Sequence, residues 1–260
     1  MNPLRRYEKI MDLLLAEREV TVAKLTGELL VTGKTIREDL DRLEAKGMLV
    51  RIHGGAVLAQ TPPLGLAGAR QADTPVREAA ERREIAEAAI ALIAPNEVIA
   101  LDGGRTTLEI ARRLPELPLT VVTNDVHIIA ELARKERIRL VVPGGYQRRN
   151  MLSGPEAEAF NRKLNIAKAF LSTTGVHSEY GFTIYASDSA GIKRSWLETA
   201  ATAYVVADHR KFGQAALFTF AKLAQADAII TDSGMPSGTA EFFRQAGARL
   251  IIRGSGTNEL

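Results

Sequence analysis

The chain has 260 residues and a formal net charge of +3, enough for one large domain or two smaller ones at the usual ~150 residues per domain. Its 46% hydrophobic content excludes a disordered chain. The absence of cysteine excludes disulfides, thiolate catalysis and Cys-based zinc sites. Four scattered histidines argue against a metal site, and no cofactor is expected. No apolar run of about 18 residues is present to cross a membrane. The N-terminal stretch MNPLRRYEKI runs directly into an amphipathic segment, so no signal peptide and a cytoplasmic location are expected.

In chain order, Leu4, Ile10, Met11, Leu14 and Leu15 repeat at helical spacing and predict a first helix with one buried face. Thr21 stands as an N-cap before a short helix carrying Val22, Leu25 and Leu29. The turn 30–33 follows, and Thr32 can cap a third helix, Lys34 to Lys46, with Ile36, Leu40 and Leu43 inward and Gly47 as its stop. Residues 49–52 and 56–58, joined through His53-Gly54-Gly55, read as a β-hairpin. Three helices and a hairpin make a winged helix-turn-helix over residues 1–59. Residues 60–76 open with QTPPLGLAGARQADTP, a Pro/Gly-rich linker.

From residue 77 to 253, helix and strand alternate. An amphipathic helix is predicted over 77–94, strands over 98–101, 119–122 and 138–142, and helices from the 102–107 loop to Leu114 and over 125–134. Further strands are expected at 169–172, 203–207, 228–231 and 249–252. Short continuous apolar strands between helices predict an α/β domain with a parallel-rich sheet covered on both faces.

In a helix-turn-helix the third helix enters the major groove with its N-terminal side chains at the base edges. Here that places Thr32, Lys34, Thr35, Arg37 and Arg42 toward DNA, while Arg51 and His53 of the wing would meet the flanking backbone or minor groove. Residues 1–60 hold ten basic and nine acidic side chains, so bulk charge does not separate DNA binding from a solvated face or a protein-interaction module. The order of cap, turn, helix, stop and wing favours DNA.

The run from Val20 to Ala56 resembles the DNA-binding domain of DeoR/GlpR-type bacterial transcription regulators. Thr35-Ile36-Arg37-Glu38-Asp39-Leu40 is similar to that family's T-I-R-R-D-L, and Leu49, Arg51, His53, Gly54, Gly55 and Ala56 match its L-x-R-x-H-G-G-A wing. Glu38 departs from the pattern, replacing a cation with a charge that phosphate repels.

In the second half, Asp102-Gly103-Gly104-Arg105-Thr106-Thr107 joins a strand end to a helix start, where backbone amides, hydroxyls and the helix dipole favour an anion. It is neither a Walker A loop nor G-x-G-x-x-G, and such a turn is also found as a plain capped helix. Asn124, Gly144-Gly145, Thr174-Gly175 and the 208–211 segment lie at other strand ends, and ligands bind outside the carboxyl ends of strands in such sheets. Lys193 lies on a predicted helix and could reach inward. His177 and His209 have no ligand-like spacing and suit surface or loop roles.

The resemblance extends over residues 5–253. It implies an effector domain similar to sugar-phosphate isomerases that binds a phosphorylated sugar or polyol. Residue by residue it marks Asp102, Gly104, Arg105, Thr106, Thr107, Asn124, Gly144, Gly145, Gly175, Lys193 and Lys211. Arg105 replaces a Thr, Arg210 a Ser, Ala167 an acid, and Ser187-Asp188-Ser189 a stretch where Glu is common.

The leading expectation is a DNA-binding transcription regulator, a repressor of sugar or polyol genes that binds a double-stranded operator as a homodimer or homotetramer and releases it on binding a phosphorylated sugar. A rival reading is an aldose–ketose phosphate isomerase, which needs a carboxylate base. The isomerases' acid-rich strand end is replaced here by Leu171-Ser172-Thr173-Thr174-Gly175, without any carboxylate, and Lys193 has Asp188 as its nearby acid in sequence, so no enzymatic activity is expected.

Overall fold

A computed structural model of the chain describes residues 2–45, 48–58 and 75–253. The expected linker over 60–76 lies almost wholly outside them, as do Lys46 and the helix stop at Gly47.

The N-terminal unit contains α1 (Pro3–Glu17), β1 (Glu19–Thr21), α2 (Val22–Leu29), α3 (Gly33–Ala45), β2 (Leu49–Ile52) and β3 (Gly55–Leu58). Asn2 caps α1, and Thr21 caps α2 by accepting from the Lys24 N–H at 3.2 Å. Tyr7, Ile10, Met11 and Leu14 of α1 meet Leu25, Leu29, Ile36, Leu40 and Leu43 in one core. Leu4 was expected on that face but is 46% exposed, because it lies in the first turn beyond the reach of the other helices. The wing is a three-stranded sheet in the order β1-β3-β2, so Thr21 ends a strand as well as capping a helix. Gly55 permits this pairing, since a Cβ there would stand 2.1 Å from the Val20 carbonyl oxygen.

The second unit begins with α4 (Pro75–Ile90), β4 (Val98–Leu101), α5 (Arg105–Arg113), β5 (Leu119–Val122), α6 (Val126–Leu132) and β6 (Ile138–Val141). A hairpin follows, β7 (Tyr146–Arg148) and β8 (Met151–Ser153), then α7 (Pro155–Asn161), β9 (Ile166–Ser172), β10 (Gly175–His177) and β11 (Gly181–Ile184). The last elements are α8 (Asp188–Thr199), β12 (Ala200–Val206), β13 (Phe218–Ala221), β14 (Ala228–Thr231), α9 (Ser237–Gln245) and β15 (Leu250–Ile252). Among the described residues, seven parallel strands run in the order β15-β14-β12-β9-β4-β5-β6. A small antiparallel sheet, β10-β11-β13, stands beside them.

Strand alternation divides the core into two layers. Ile99, Leu101, Val121, Phe170, Tyr204 and Ile230 face α4, α5 and α6. Ala100, Val122, Ala169, Leu171, Val205 and Ile229 face α7, α8 and α9, where Trp196 and Phe243 are buried. Both faces of the strands are therefore apolar, as a covered parallel sheet requires. Strand order reverses between β4 and β9, and the crevice beyond their carboxyl ends is where such sheets hold ligands.

Candidate functional site

The outer face of α3 carries Lys34, Arg37 and Glu38, all exposed, with Thr35 half-buried beside them. Three of the expected DNA-contacting residues also bond within the unit. The Thr32 hydroxyl accepts from the Thr35 N–H at 3.2 Å and caps the helix. Arg42 reaches back to the Tyr7 hydroxyl at 3.4 Å, against α1. Arg51 donates to the carbonyls of Gly55 and Arg37, each at 3.3 Å, and pairs with Asp41, so it fastens the wing to α3. Thr32, Lys34, Arg37 and Arg42 at the helix and His53 at the wing tip are exposed, and Thr35 is half-buried. A further pair ties α1 to α3. Arg6 grips buried Asp39 in two bonds of 2.6 and 2.9 Å, and this holds the guanidinium above its usual range. An acid beside Leu40 on the inward face was the available signal.

Beyond the carboxyl ends of β4 and β9 lies a cavity of about 420 Å³. The N-terminus of α5 opens into it through Gly104, Arg105 and Thr106. Close approach of the two strand ends explains Gly104, because a Cβ there would lie 2.8 Å from that of Ser172. Lys193 projects from α8 to the same point. Its ammonium pairs with Asp102 and donates to the Ser172 carbonyl at 2.7 Å, with only 3% of the residue exposed. Asp102 also accepts from the Ser172 N–H and hydroxyl, both at 2.8 Å, all on one carboxylate oxygen; its other oxygen, Oδ1, is buried without a hydrogen bond. Lys211 completes the cationic side and donates to the Thr173 carbonyl at 2.8 Å. Desolvation pushes the Lys211 ammonium below the usual lysine range; Asp208 opposes this, while Arg105 and Lys193 add to it. A lysine depressed by neighbouring cations beside a helix N-terminus belongs to a site that an anion stabilises.

The cavity takes in Gly104, Arg105, Thr106, Lys193 and Lys211 of the expected ligand residues, but the other six do not line it. Asp102 sits beneath Lys193, and Thr107 is turned back to the Gly104 carbonyl at 3.0 Å. Asn124 donates to the Leu152 carbonyl at 2.9 Å and so docks the β7–β8 hairpin. Gly144 and Gly145, with φ of 84° and 105°, turn the chain into that hairpin, and a Cβ on Gly145 would meet the Ser153 carbonyl at 2.4 Å. Gly175 packs against the Gln214 carbonyl. The lining also includes Arg82, Asp125, Arg149, Asn150, Ser172 and Tyr185, which the sequence reading did not single out. Polar Ser172-Thr173-Thr174 at a strand end was a usable signal; Arg149, on a polar exposed hairpin, offered none.

His209 is not a surface histidine. Its Nδ1 lies 2.7 Å from Oδ1 of buried Asp232, whose other oxygen accepts the His209 N–H at 2.8 Å. That bond lifts the ring above the usual 6.5 against desolvation. Burial alone would raise Asp232, but the His209 ring and N–H hold it below the usual range. Glu81 brings a third ligand-type oxygen within 4.8 Å of this pair, yet it is bound at 2.6 Å by the Arg210 guanidinium. Arg210 thus supplies the positive charge of this cluster. His177 is half-buried at a turn, where its Nδ1 accepts from the N–H groups of Glu179 and Tyr180. The acids lining the cavity are Asp125 and Asp208 rather than Asp188. Asp125 caps α6 through two N–H groups, and Asp208 accepts from Arg210 at 3.1 Å.

A winged helix-turn-helix with an exposed cationic helix face, joined to an α/β unit with an anion-ready cavity at its strand switch, defines a DNA-binding regulator with a sensor domain. Residues 6–61 match the model of the DeoR-like helix-turn-helix domain, and residues 77–233 that of the DeoR C terminal sensor domain. The chain is 32% identical over 255 residues to the HTH-type transcriptional regulator GlpR of Haloferax volcanii, covering 96% of this chain and 98% of that protein. It is 31% identical over 252 residues to the putative aga operon transcriptional repressor of Escherichia coli O157:H7, covering 96% and 93%. It is also similar to the ribose 5-phosphate isomerase A structure from Methanocaldococcus jannaschii, at 17% identity and a TM-score of 0.38 over 50% of this chain and 53% of that one. The chain belongs to the DeoR family and is a DNA-binding transcriptional regulator. No helix among the described residues is long and apolar enough to cross a membrane.

Proposed function

We propose that the chain is a cytoplasmic repressor of sugar or polyol metabolism genes, released from its operator by a phosphorylated sugar in the α/β unit. The convergence of Arg105, Lys193 and Lys211 with the N-terminus of α5 in one cavity carries this reading. The phosphate would sit at Gly104-Arg105-Thr106, where helix amides and the Arg105 guanidinium donate and the two lysines neutralise charge. Hydroxyls of the sugar would meet Asp125, Asn150, Ser172 and Asp208, which line the same space. The names of relatives agree in kind: one is named a putative aga operon transcriptional repressor, and another, 30% identical, the L-fucose operon activator of Haemophilus influenzae.

DNA recognition would use Lys34, Thr35 and Arg37 in the major groove and His53 beside it, with two copies of the unit spanning paired half-sites in a homodimer or homotetramer. Ligand binding releases DNA only if the ligand prefers the arrangement that cannot bind the operator. The test is a gel shift on DNA upstream of the chain's own gene, with and without a panel of pentose, hexose and polyol phosphates. Loss of the shifted band with one panel member is the expected result. Failure to bind any upstream fragment at low salt would reject the proposal, and turnover of an aldose phosphate would make the domain an enzyme.

A further inference from the structure

Arg149, which lines the sensor cavity, is also bound to the DNA-reading unit. It sits at the tip of the β7–β8 hairpin, and its guanidinium pairs with Asp12 of α1. Its φ of 56° is uncommon for a side chain larger than glycine, and backbone so held is found where surrounding structure or function requires it. Arg148 lies beside it, 3.9 Å from Asp12 and paired with Asp188 at the start of α8. A second part of the cavity wall makes the same connection. Ser187 donates its N–H to Glu8 of α1 at 3.3 Å and bonds it through its hydroxyl, while half-buried Tyr185 packs against the winged-helix core. Two walls of one cavity, the hairpin tip and the 185–189 segment, therefore also hold α1.

We infer that Arg149 is a shared anion ligand for which Asp12 and the phosphate of a bound sugar compete. The inference rests on the pocket assignment above. A guanidinium satisfies carboxylate and phosphate through the same donor fork and cannot serve two separated acceptors fully at once. A phosphorylated ligand that draws Arg149 inward takes it from Asp12 and loosens the hold on α1. Through the Arg6–Asp39 pair, α1 is tied to α3. The coupling is reciprocal, so DNA that favours the α1-bound arrangement weakens the ligand by the same factor.

The experiment measures, on the full chain, the dissociation constants of inorganic phosphate and of a panel of pentose and hexose phosphates. It compares wild type, Asp12→Asn, Arg149→Gln and the double variant. Asp12→Asn is expected to tighten the best-binding panel member roughly two- to fivefold, the scale of one half-exposed ion pair. Arg149→Gln should weaken it, and Asp12→Asn should have no effect in the Arg149→Gln background. Operator affinity in the Asp12→Asn variant should respond less to the ligand than in wild type. If Asp12→Asn leaves the constant unchanged while Lys211→Met abolishes binding, the competition is wrong and the pocket stands. If no panel member binds wild type, the pocket assignment and the competition both fail.

Discussion

Lys193 and Asp102 form a buried ion pair that ties α8 to the end of β4, with 4% and 0% of their side chains exposed. The Asp102 carboxylate that receives the ammonium has no water to turn to if its partner is removed. Lys193→Met is therefore expected to destabilise the domain by about 3–5 kcal/mol, the usual consequence of leaving one buried charge alone. Adding Asp102→Asn should recover part of the loss. Urea denaturation of the two single variants and the double variant measures this. Losses that simply add would show that the pairing is not their source.

Ligand affinity should depend on pH through Lys211. Its ammonium is held below the usual lysine range by desolvation, with Arg105 and Lys193 adding to the depression. A bound phosphate monoester favours the charged form and raises that value. Affinity is then full below the free protein's lysine value and falls as pH rises from there to the bound value. Between the two, binding takes up a proton. Titration calorimetry in two buffers of different ionisation heat detects that uptake, and Lys211→Met should abolish it.

The DNA-reading face makes a sharper distinction than charge counting. Arg37→Ala should weaken operator binding and lower the dependence of log affinity on log salt by about one. Arg42→Ala should have a smaller effect on salt dependence, because its guanidinium already donates to the Tyr7 hydroxyl. Arg51→Ala should act through the wing, whose tie to α3 it removes. Filter binding across a salt series separates the three.

Stability should respond to pH at His209 and Asp232. The raised His209 value gives a contribution fully present below the usual 6.5 and lost as pH climbs through the folded value. The lowered Asp232 value gives one present above the usual 3.8 and lost as pH falls through its own folded value. Both are complete between about 4 and 6.5. Thermal midpoints should fall on the alkaline side of that window more steeply in wild type than in His209→Gln.

Elements with one strong local signal were legible in the sequence. The 98–101 and 119–122 strands hold to the residue because short apolar runs end there at Asp, Pro or Thr-Asn. The helix expected over 77–94 stops at Ile90, since the still-apolar Leu92 and Ile93 tighten into shorter-range bonds, to Ala89 and Ile90, that composition does not reveal. The β7–β8 hairpin was invisible because its first strand, Tyr146-Gln147-Arg148, is exposed throughout and has no apolar alternation. At the cavity, the loop and the lysines were legible from their local motifs. Arg149 was not, because its partner Asp12 is 137 positions away and only the folded chain brings them together.

The cavity floor is stitched from two segments 70 positions apart, where Ser172 at the end of β9 donates to Asp102 at the end of β4. Strands β4, β5 and β6 close among near neighbours in the chain, while β9 joins them only after the hairpin and α7 have been crossed. The seam between β4 and β9 is thus both the longest-range junction beneath the cavity and the line that a bound molecule spans. A ligand gripping Gly104 and Thr106 on one side and Ser172 and Lys193 on the other acts as a clasp across it. Amide exchange in the two strands should then slow together on binding, so the chain registers its ligand first as resistance to opening along that line.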